Sequence, residues 1–237
     1  MRFDIMTLFP ELVTRVLEES IIGRAQKNGA ITVETYNIRD YSEDKHRRVD
    51  DTPYGGGKGM LMMAPPICRC HDAILAKTEN EGSSMKRRTI YMSPQGQILT
   101  QKKATELASY DQLVILCGHY EGVDYRVIEE IVDEEISIGD YVLTGGELPA
   151  CILVDCVARL VDGVLADKEC FEKESFSGGL LEYPQYTRPF VFHGREVPAV
   201  LISGHHENID KWREEKAVEI TRKNRPDLLA RKEETKI

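Results

Sequence analysis

TIYMSPQGQIL (89–99), DQLVILCGHYEG (111–122) and EEISIGDYVLTGGELP (134–149) decide the fold. Each opens on a short run that reads as a strand and passes through a loop punctuated by Gly or Pro. Each then leads into a segment with helical periodicity. The spacing predicts strands at Thr89–Met92, Leu113–Cys117 and Glu135–Ile138. It predicts helices from about Thr100, after Gly122, and over Glu147–Val161. Strand, loop and helix in that order, three times over, imply an α/β fold: a parallel sheet with crossover helices. The 113–117 run is almost wholly apolar, as in a strand covered on both faces.

Toward the N-terminus, Arg2–Leu8 alternates apolar and polar and reads as a strand. Pro10 opens a helical pattern with Leu12, Val13, Val16, Leu17, Ile21 and Ile22 on one side, ending at Gly29. Ile31–Asn37 alternates as a second strand. Residues 39–59 are polar and Gly-rich, a loop of a length that in a compact domain is usually functional. Pro65 and Pro66 start a helix reaching about Lys77, and Glu79–Lys86 reads as a turn. Toward the C-terminus the rhythm stops at Gly163. A linker rich in Gly, Pro, Ser and charge leads into a non-sheet region with helices over about Glu207–Lys223 and after Pro226. Two domains are expected, 1–162 and 176–237, joined by a linker at 163–175.

The chain has 237 residues, a size that supports a real core, and no apolar run approaches a membrane span. Its first ten residues lack a signal-peptide pattern, and its six cysteines are scattered, so a reduced cytoplasmic protein is expected. The net charge of −9 excludes a uniformly basic nucleic-acid coat. The excess is local: residues 121–140 hold eight acids against Arg126 alone, which accounts for seven of the nine. A charge total therefore says little about any one face.

In open α/β sheets, ligands bind at the carboxyl ends of strands, where the loops gather. Ser93-Pro94-Gln95-Gly96, Gly118-His119-Tyr120-Glu121-Gly122 and Ile138–Gly146 all follow strands. Any one of them is ordinary chain geometry; three on successive strands point to a shared pocket. Amide-lined walls suit a planar base and a ribose. The Pro53-Tyr54-Gly55-Gly56-Gly57-Lys58-Gly59-Met60 stretch fails as a phosphate loop, because Gly59 follows Lys58 where Ser or Thr is needed and no helix opens there. It reads as a loop that packs backbone against a substrate, or as a plain flexible turn. Lys45-His46-Arg47-Arg48 is either a phosphate-holding run or solvated charge. Cys68-Arg69-Cys70-His71 lacks a second ligand pair, so zinc is rejected. His205-His206, followed by Trp212 and Arg213, suits RNA contact or a small helical domain burying its tryptophan.

Further blocks join these: Thr7-Leu8-Phe9-Pro10, Gly23-Arg24-Ala25, Asp44-Lys45-His46 with Val49-Asp50-Asp51, and Gly59-Met60-Leu61-Met62-Met63. Ser175-Phe176, Tyr183-Pro184, Tyr186-Thr187-Arg188-Pro189 and Ser203-Gly204-His205-His206 complete the set, with IGDYVLTGGELP (138–149) the most specific. Almost end to end, the chain resembles the bacterial tRNA (guanine-N1)-methyltransferases, the TrmD family of the SPOUT class.

The resemblance implies more than patterning does. The N-terminal domain would carry a deep C-terminal trefoil knot that forms the S-adenosyl-L-methionine pocket. Matching pocket positions are Tyr91, Ser93, Pro94, Gly118, Tyr120, Glu121, Gly122, Ile138, Gly139, Asp140, Tyr141, Val142, Leu143, Gly145, Gly146 and Pro149. Positions for the RNA are Lys45, His46, Asp50, Tyr54, Gly55, Gly56, Ser175 and Arg188. A small, mostly helical C-terminal domain would bind tRNA. The target would be the guanine at position 37, beside the anticodon, and the enzyme a homodimer whose sites draw on both subunits. Catalysis in the family is associated with Mg2+, although no protein metal site is implied.

N1 of guanine is protonated near neutral pH. Its methylation needs a base at N1 and stabilisation of the charge developing on O6. The family's Arg and Asp in these roles match Arg159 and Glu174. Glu174 departs from the family by one methylene, keeping the carboxylate but changing its reach. His119 stands where Arg is frequent, and Lys58 and Tyr125 are also departures. Two other classes stand beside this reading: a nucleotide-dependent transferase or NTPase using the 55–59 loop, and a non-catalytic RNA-binding module.

Overall fold

A computed structural model describes residues 1–79, 85–165 and 174–234. The expected turn at 80–84, most of the linker (166–173) and residues 235–237 lie outside them. The chain divides into two compact units, Met1–Ala166 and Asp167–Ile237.

The first unit is built on β1 (Arg2–Thr7), β2 (Thr32–Asn37), β5 (Arg87–Ile98), β6 (Gln112–Cys117) and β7 (Glu134–Ser137). They pair in parallel in the order β2-β1-β6-β5-β7. Around them run α1 (Pro10–Leu17), α2 (Ser20–Lys27), α3 (Ala64–Glu79), α4 (Gln101–Leu107), α5 (Tyr125–Ile131) and α6 (Glu147–Ala158). A short antiparallel pair, β3 (Asp50–Asp51) and β4 (Leu61–Met62), brackets the Gly-rich segment. Every residue of β6 is buried. One core packs Phe3, Ile5, Ile90, Leu113 and Ile115 against α1, α2, α4 and α6; a second packs Met6, Val114 and Leu116 against α3 and α5. Both faces of the sheet are thus covered, as the apolar 113–117 run requires.

In β1, Asp4 and Thr7 are fully buried and held by hydrogen bonds. Two local expectations change. The continuous helical pattern from Pro10 is broken into two helices, with a left-handed φ of 54° at Ser20. Gly23 then lies against the Glu18 carbonyl, where a side chain would collide. The strand at Thr89 does not end at Met92. It runs to Ile98, and Met92 and Gln97 both pair with Ile136, so Ser93–Gly96 form a bulge inside β5. Thr100 does cap the next helix, its Oγ1 accepting from the Lys103 N–H at 3.2 Å.

In the second unit, α7 (His206–Asn224) and α8 (Pro226–Glu234) match the expected helices. The region before them, expected to be free of sheet, contains a two-stranded ribbon, β8 (Val191–Phe192) and β9 (Arg195–Glu196). Trp212 is half-buried, its ring 6.3 Å from that of Tyr186. Among the described residues no helix is long and apolar enough to cross a membrane.

Candidate active site

The β5 bulge and the loops that follow β6 and β7 enclose a cavity of about 350 Å³ toward the carboxyl ends of the strands. Glycine lets them converge. Gly146 opens α6 directly under β6, where a Cβ would stand 2.7 Å from Cys117 Cα and 2.9 Å from Gly118 N. Its N–H donates to the Gly118 carbonyl at 2.9 Å, and His119 bridges Gly145. Gly139 has φ 146°, and a Cβ there would lie 2.6 Å from the Tyr141 ring. Ser137 Oγ fixes that turn, donating to the Gly139 carbonyl at 3.1 Å and accepting from its N–H at 3.2 Å. In the β5 bulge, Ser93 Oγ accepts from the Gln95 N–H at 3.1 Å.

Tyr91 forms part of the wall beneath Gly118. Burial, then the nearby Glu135, pushes its phenol up to about 12, so it stays a neutral donor at any physiological pH. Glu147 is 4% exposed and accepts from the Thr7 hydroxyl at 2.8 Å, which ties the end of β1 to the first turn of α6. A carboxylate is well placed at that helix N-terminus. Burial raises Cys117 and Cys151 as well, which makes both thiols unreactive. Among the described residues no group of three or more His, Cys, Asp or Glu is arranged to hold a metal ion.

The wall brings together Tyr91, Ser93, Pro94, Gly118, Tyr120, Glu121, Gly122, Ile138, Gly139, Tyr141, Val142, Leu143, Gly145, Gly146 and Pro149. Asp140 is the exception. It is exposed and outside the wall, because the turn presents its neighbours Gly139 and Tyr141 instead. Residues beyond the family-matched positions also line it: Gln95, His119 and Thr144 from within the quoted loops, Val123, Tyr125 and Ile128 after β6, and Glu135–Ser137 on β7. Gln95, His119 and Thr144 were reachable by taking each loop whole. The wall contains Glu121 and Glu135 but neither Lys nor Arg.

The Gly-rich segment is stitched to this site. Glu121 N–H donates to Met60 O at 3.0 Å, Met62 N–H to Gly122 O at 3.0 Å, and Asp124 N–H to Met62 O at 2.9 Å. Gly55, Gly56, Gly57 and Gly59 all take positive φ, a backbone that glycine adopts without a side-chain penalty. Tyr54 is fully exposed beside them. Asp50 sits in β3, opposite Met62. Lys45 and His46 are exposed in a turn organised by Asp44, which accepts from the His46 N–H at 2.8 Å and from Arg48 at 3.1 Å.

Arg159 caps the C-terminus of α6, half-buried. Glu174, Ser175 and Arg188 belong to the second unit. There Glu174 O accepts from the Ser177 N–H at 3.2 Å, Ser175 Oγ accepts from the Glu182 N–H at 3.0 Å, and Arg188 is exposed.

The family model described as tRNA (Guanine-1)-methyltransferase TrmD matches residues 1–231. A tRNA (guanine-N(1)-)-methyltransferase of Ruminiclostridium cellulolyticum is 59% identical, over 97% of this chain and 96% of its own. The protein of the same name from Lachnospira eligens is 58% identical, over 96% and 94%. That of Clostridioides difficile is 50% identical, over 99% and 100%. The chain belongs to the tRNA (guanine-1)-methyltransferase family.

Proposed function

We propose that this chain transfers a methyl group from S-adenosyl-L-methionine to N1 of the guanine at position 37 of tRNA. The observation that carries the reading is the cavity: glycines from the β6 and β7 loops, two glutamates in the wall, and no Lys or Arg. Amide donors and acceptors match an adenine and a ribose, and Glu121 and Glu135 favour a cation. A polyphosphate would meet the opposite field, so the wall speaks against the NTPase reading. When bound, the cofactor supplies an electrophilic methyl on a sulfonium. Transfer of that methyl to N1 would leave the electron pair of the broken carbon–sulfur bond on the neutral thioether product.

The chain's own part is to make N1 nucleophilic. Glu174 takes the N1 proton, and Arg159 stabilises the negative charge that builds on O6. The twelve residues of α6 span roughly 18 Å. The cavity wall is at its N-terminus and Arg159 at its C-terminus. An Arg159 acting on a methyl held in the cavity therefore comes from a second copy, which supports a homodimer with shared sites. Phe9, Leu12 and Val16 beside α6's Leu148 and Ile152 are exposed apolar side chains suited to that contact.

In this reading residues 1–162 are the knotted methyltransferase domain, with the crossovers β5–α4–β6 and β6–α5–β7 leading into the knot. Residues 163–175 are the linker and 176–237 the tRNA-binding domain. The division into compact units at Ala166 and Asp167 is consistent with that split. The RNA would meet Lys45, His46, Asp50 and the Tyr54–Gly56 segment, with Ser175 and Arg188 from the second domain. The cytoplasm is where such a substrate is found. The Mg2+ association of the family has no three-ligand protein site among the described residues, and no proposed step passes through a metal.

Tritiated-methyl transfer to transcripts with G or A at position 37 tests the reading. Label should enter the G37 transcript alone. Binding without transfer would sink it in favour of an RNA-binding module. Calorimetry should show S-adenosylmethionine binding and no ATP binding.

A further inference from the structure

Val191–Phe192 and Arg195–Glu196 pair as an antiparallel ribbon, Val191 opposite Glu196 and Phe192 opposite Arg195. His193 and Gly194 make the turn with φ of 50° and 74°, positive at both central positions as a two-residue hairpin demands. One more bond, from the Val197 N–H to the Phe190 carbonyl at 3.0 Å, extends the ladder.

The ribbon does not bury its apolar side chains. Phe190 is 44% exposed, Val191 47% and Phe192 62%. Alternation and register sort these residues onto two faces. Phe190 and Phe192 share one face because they are two apart, and Arg195 joins them because it lies directly opposite Phe192. Val191 and the only acid of the ribbon, Glu196, take the other face. The His193 ring sits edge-on to Phe192 at 4.1 Å, and exposed Arg188 precedes the ribbon. One face thus presents two open aromatic rings and a guanidinium, with the carboxylate turned away. Aromatic rings alternating with cations are what unstacked bases and their phosphates need.

We infer that this hairpin is a base-stacking finger for RNA, with Phe192 under a base and Arg195 on the adjoining backbone. The inference rests on the tRNA reading above and gives its second unit a contact surface.

The test measures tRNA affinity of the full chain for wild type, Phe192→Ala, Phe192→Trp and Arg195→Gln. S-adenosylmethionine affinity and sedimentation are read on the same samples. Phe192→Ala should weaken tRNA binding about tenfold or more, and Phe192→Trp should restore it. Arg195→Gln should lower the salt dependence of binding by one phosphate contact, a slope change of about 0.7 to 0.9. Cofactor affinity and sedimentation should not move. Phe192→Ala with wild-type tRNA affinity overturns the inference. So does a change in sedimentation at unchanged tRNA affinity, which would make the ribbon a contact between copies. If wild type methylates G37 tRNA and the hairpin variants bind it normally, only the finger is lost. If wild type does not bind tRNA at all, the functional reading falls with it.

Discussion

At the amino ends of the strands, Asp4 accepts from Arg2 Nε and Nη2, both at 2.8 Å, and from Gln112 Nε2 at 2.7 Å. Arg87 continues the chain, donating to Gln112 Oε1 at 2.7 Å and to Thr78 Oγ1 at 2.9 Å. Arg2, Gln112 and Arg87 occupy one row across three strands. At the carboxyl ends of the same sheet, residues that include Gly118, Gly122, Gly139, Gly145 and Gly146 surround an open cavity. The amino edge satisfies its polar groups with one another, so a one-residue slip of any strand would break several bonds at once and register is fixed. The carboxyl edge surrounds open space instead, which suits a ligand. Stability and function are thus assigned to opposite ends of one element.

Arg159 is the sharpest challenge to that division, because α6 carries it away from the cavity end. If it serves catalysis, Arg159→Ala should lower single-turnover methylation about 10²- to 10⁴-fold and leave the thermal midpoint nearly unchanged. Glu174→Ala should do the same, and Glu174→Asp should stay active. A near wild-type rate in either Ala variant would remove that residue from the mechanism. A lowered midpoint instead of a lowered rate for Arg159→Ala would make it part of the framework.

Asp4→Ala makes the complementary case. It leaves Arg2 and the Gln112 amide without their buried acceptor, so unfolding in urea should weaken by about 3 to 5 kcal/mol. Cofactor affinity of the remaining folded protein, measured at low temperature, should be that of wild type. A loss of affinity matching the loss of stability would show that the two edges are not independent.

The carboxyl edge was more legible in the sequence than the amino edge. Gly118, Gly139 and Gly146 sit where loops must meet, and a residue without a side chain announces close approach locally. The amino-edge network is made of partners far apart in the chain, Asp4 with Gln112; at the other end of β1 the Thr7–Glu147 bond is likewise long-range. Alternation over Arg2–Leu8 marks a strand but not what Asp4 and Thr7 bond to, and only the fold supplies their partners. The β5 bulge was hidden for another reason. Pro94 and Gly96 are residues that normally end strands, but Gly96 lies flat against the Glu135–Ile136 backbone and pairing resumes at Gln97. Arg159 and Glu174 carried no local signal at all, and their roles came from family resemblance alone.

Within the cavity, Gly118→Ala separates ligand space from framework. Its Cβ would stand 2.7 Å from Tyr91 Oη and 2.9 Å from Cε2, so the ring, which lines the cavity, must shift. The expected result is roughly a tenfold loss of S-adenosylmethionine affinity, about 1.4 kcal/mol, with little change in thermal midpoint. Adding Tyr91→Phe should recover part of the loss. Gly146→Ala differs because its Cβ would meet backbone, so its cost should appear as lost stability. Equal midpoints for the two variants would erase the distinction between side-chain and backbone neighbours.

Acid gives the smallest test and the one aimed most directly at the amino edge. Although partial burial opposes it, hydrogen bonds from Lys77 and Tyr36 hold the Glu34 carboxyl below its ordinary range. A carboxyl with a lowered folded pKa contributes stability that is fully present above its unfolded pKa. That stability is lost as pH falls through the folded value. The loss should therefore begin below about pH 4.3. Glu34→Gln should flatten this part of the acid limb by only a few tenths of a kcal/mol, because the pair is partly solvated. Cofactor affinity in the same variant, measured at neutral pH, should be unaffected. A steeper acid limb in Glu34→Gln would mean that the carboxylate strains the Arg2–Asp4 row instead of supporting it, and the amino edge would no longer be the self-satisfied end of the sheet.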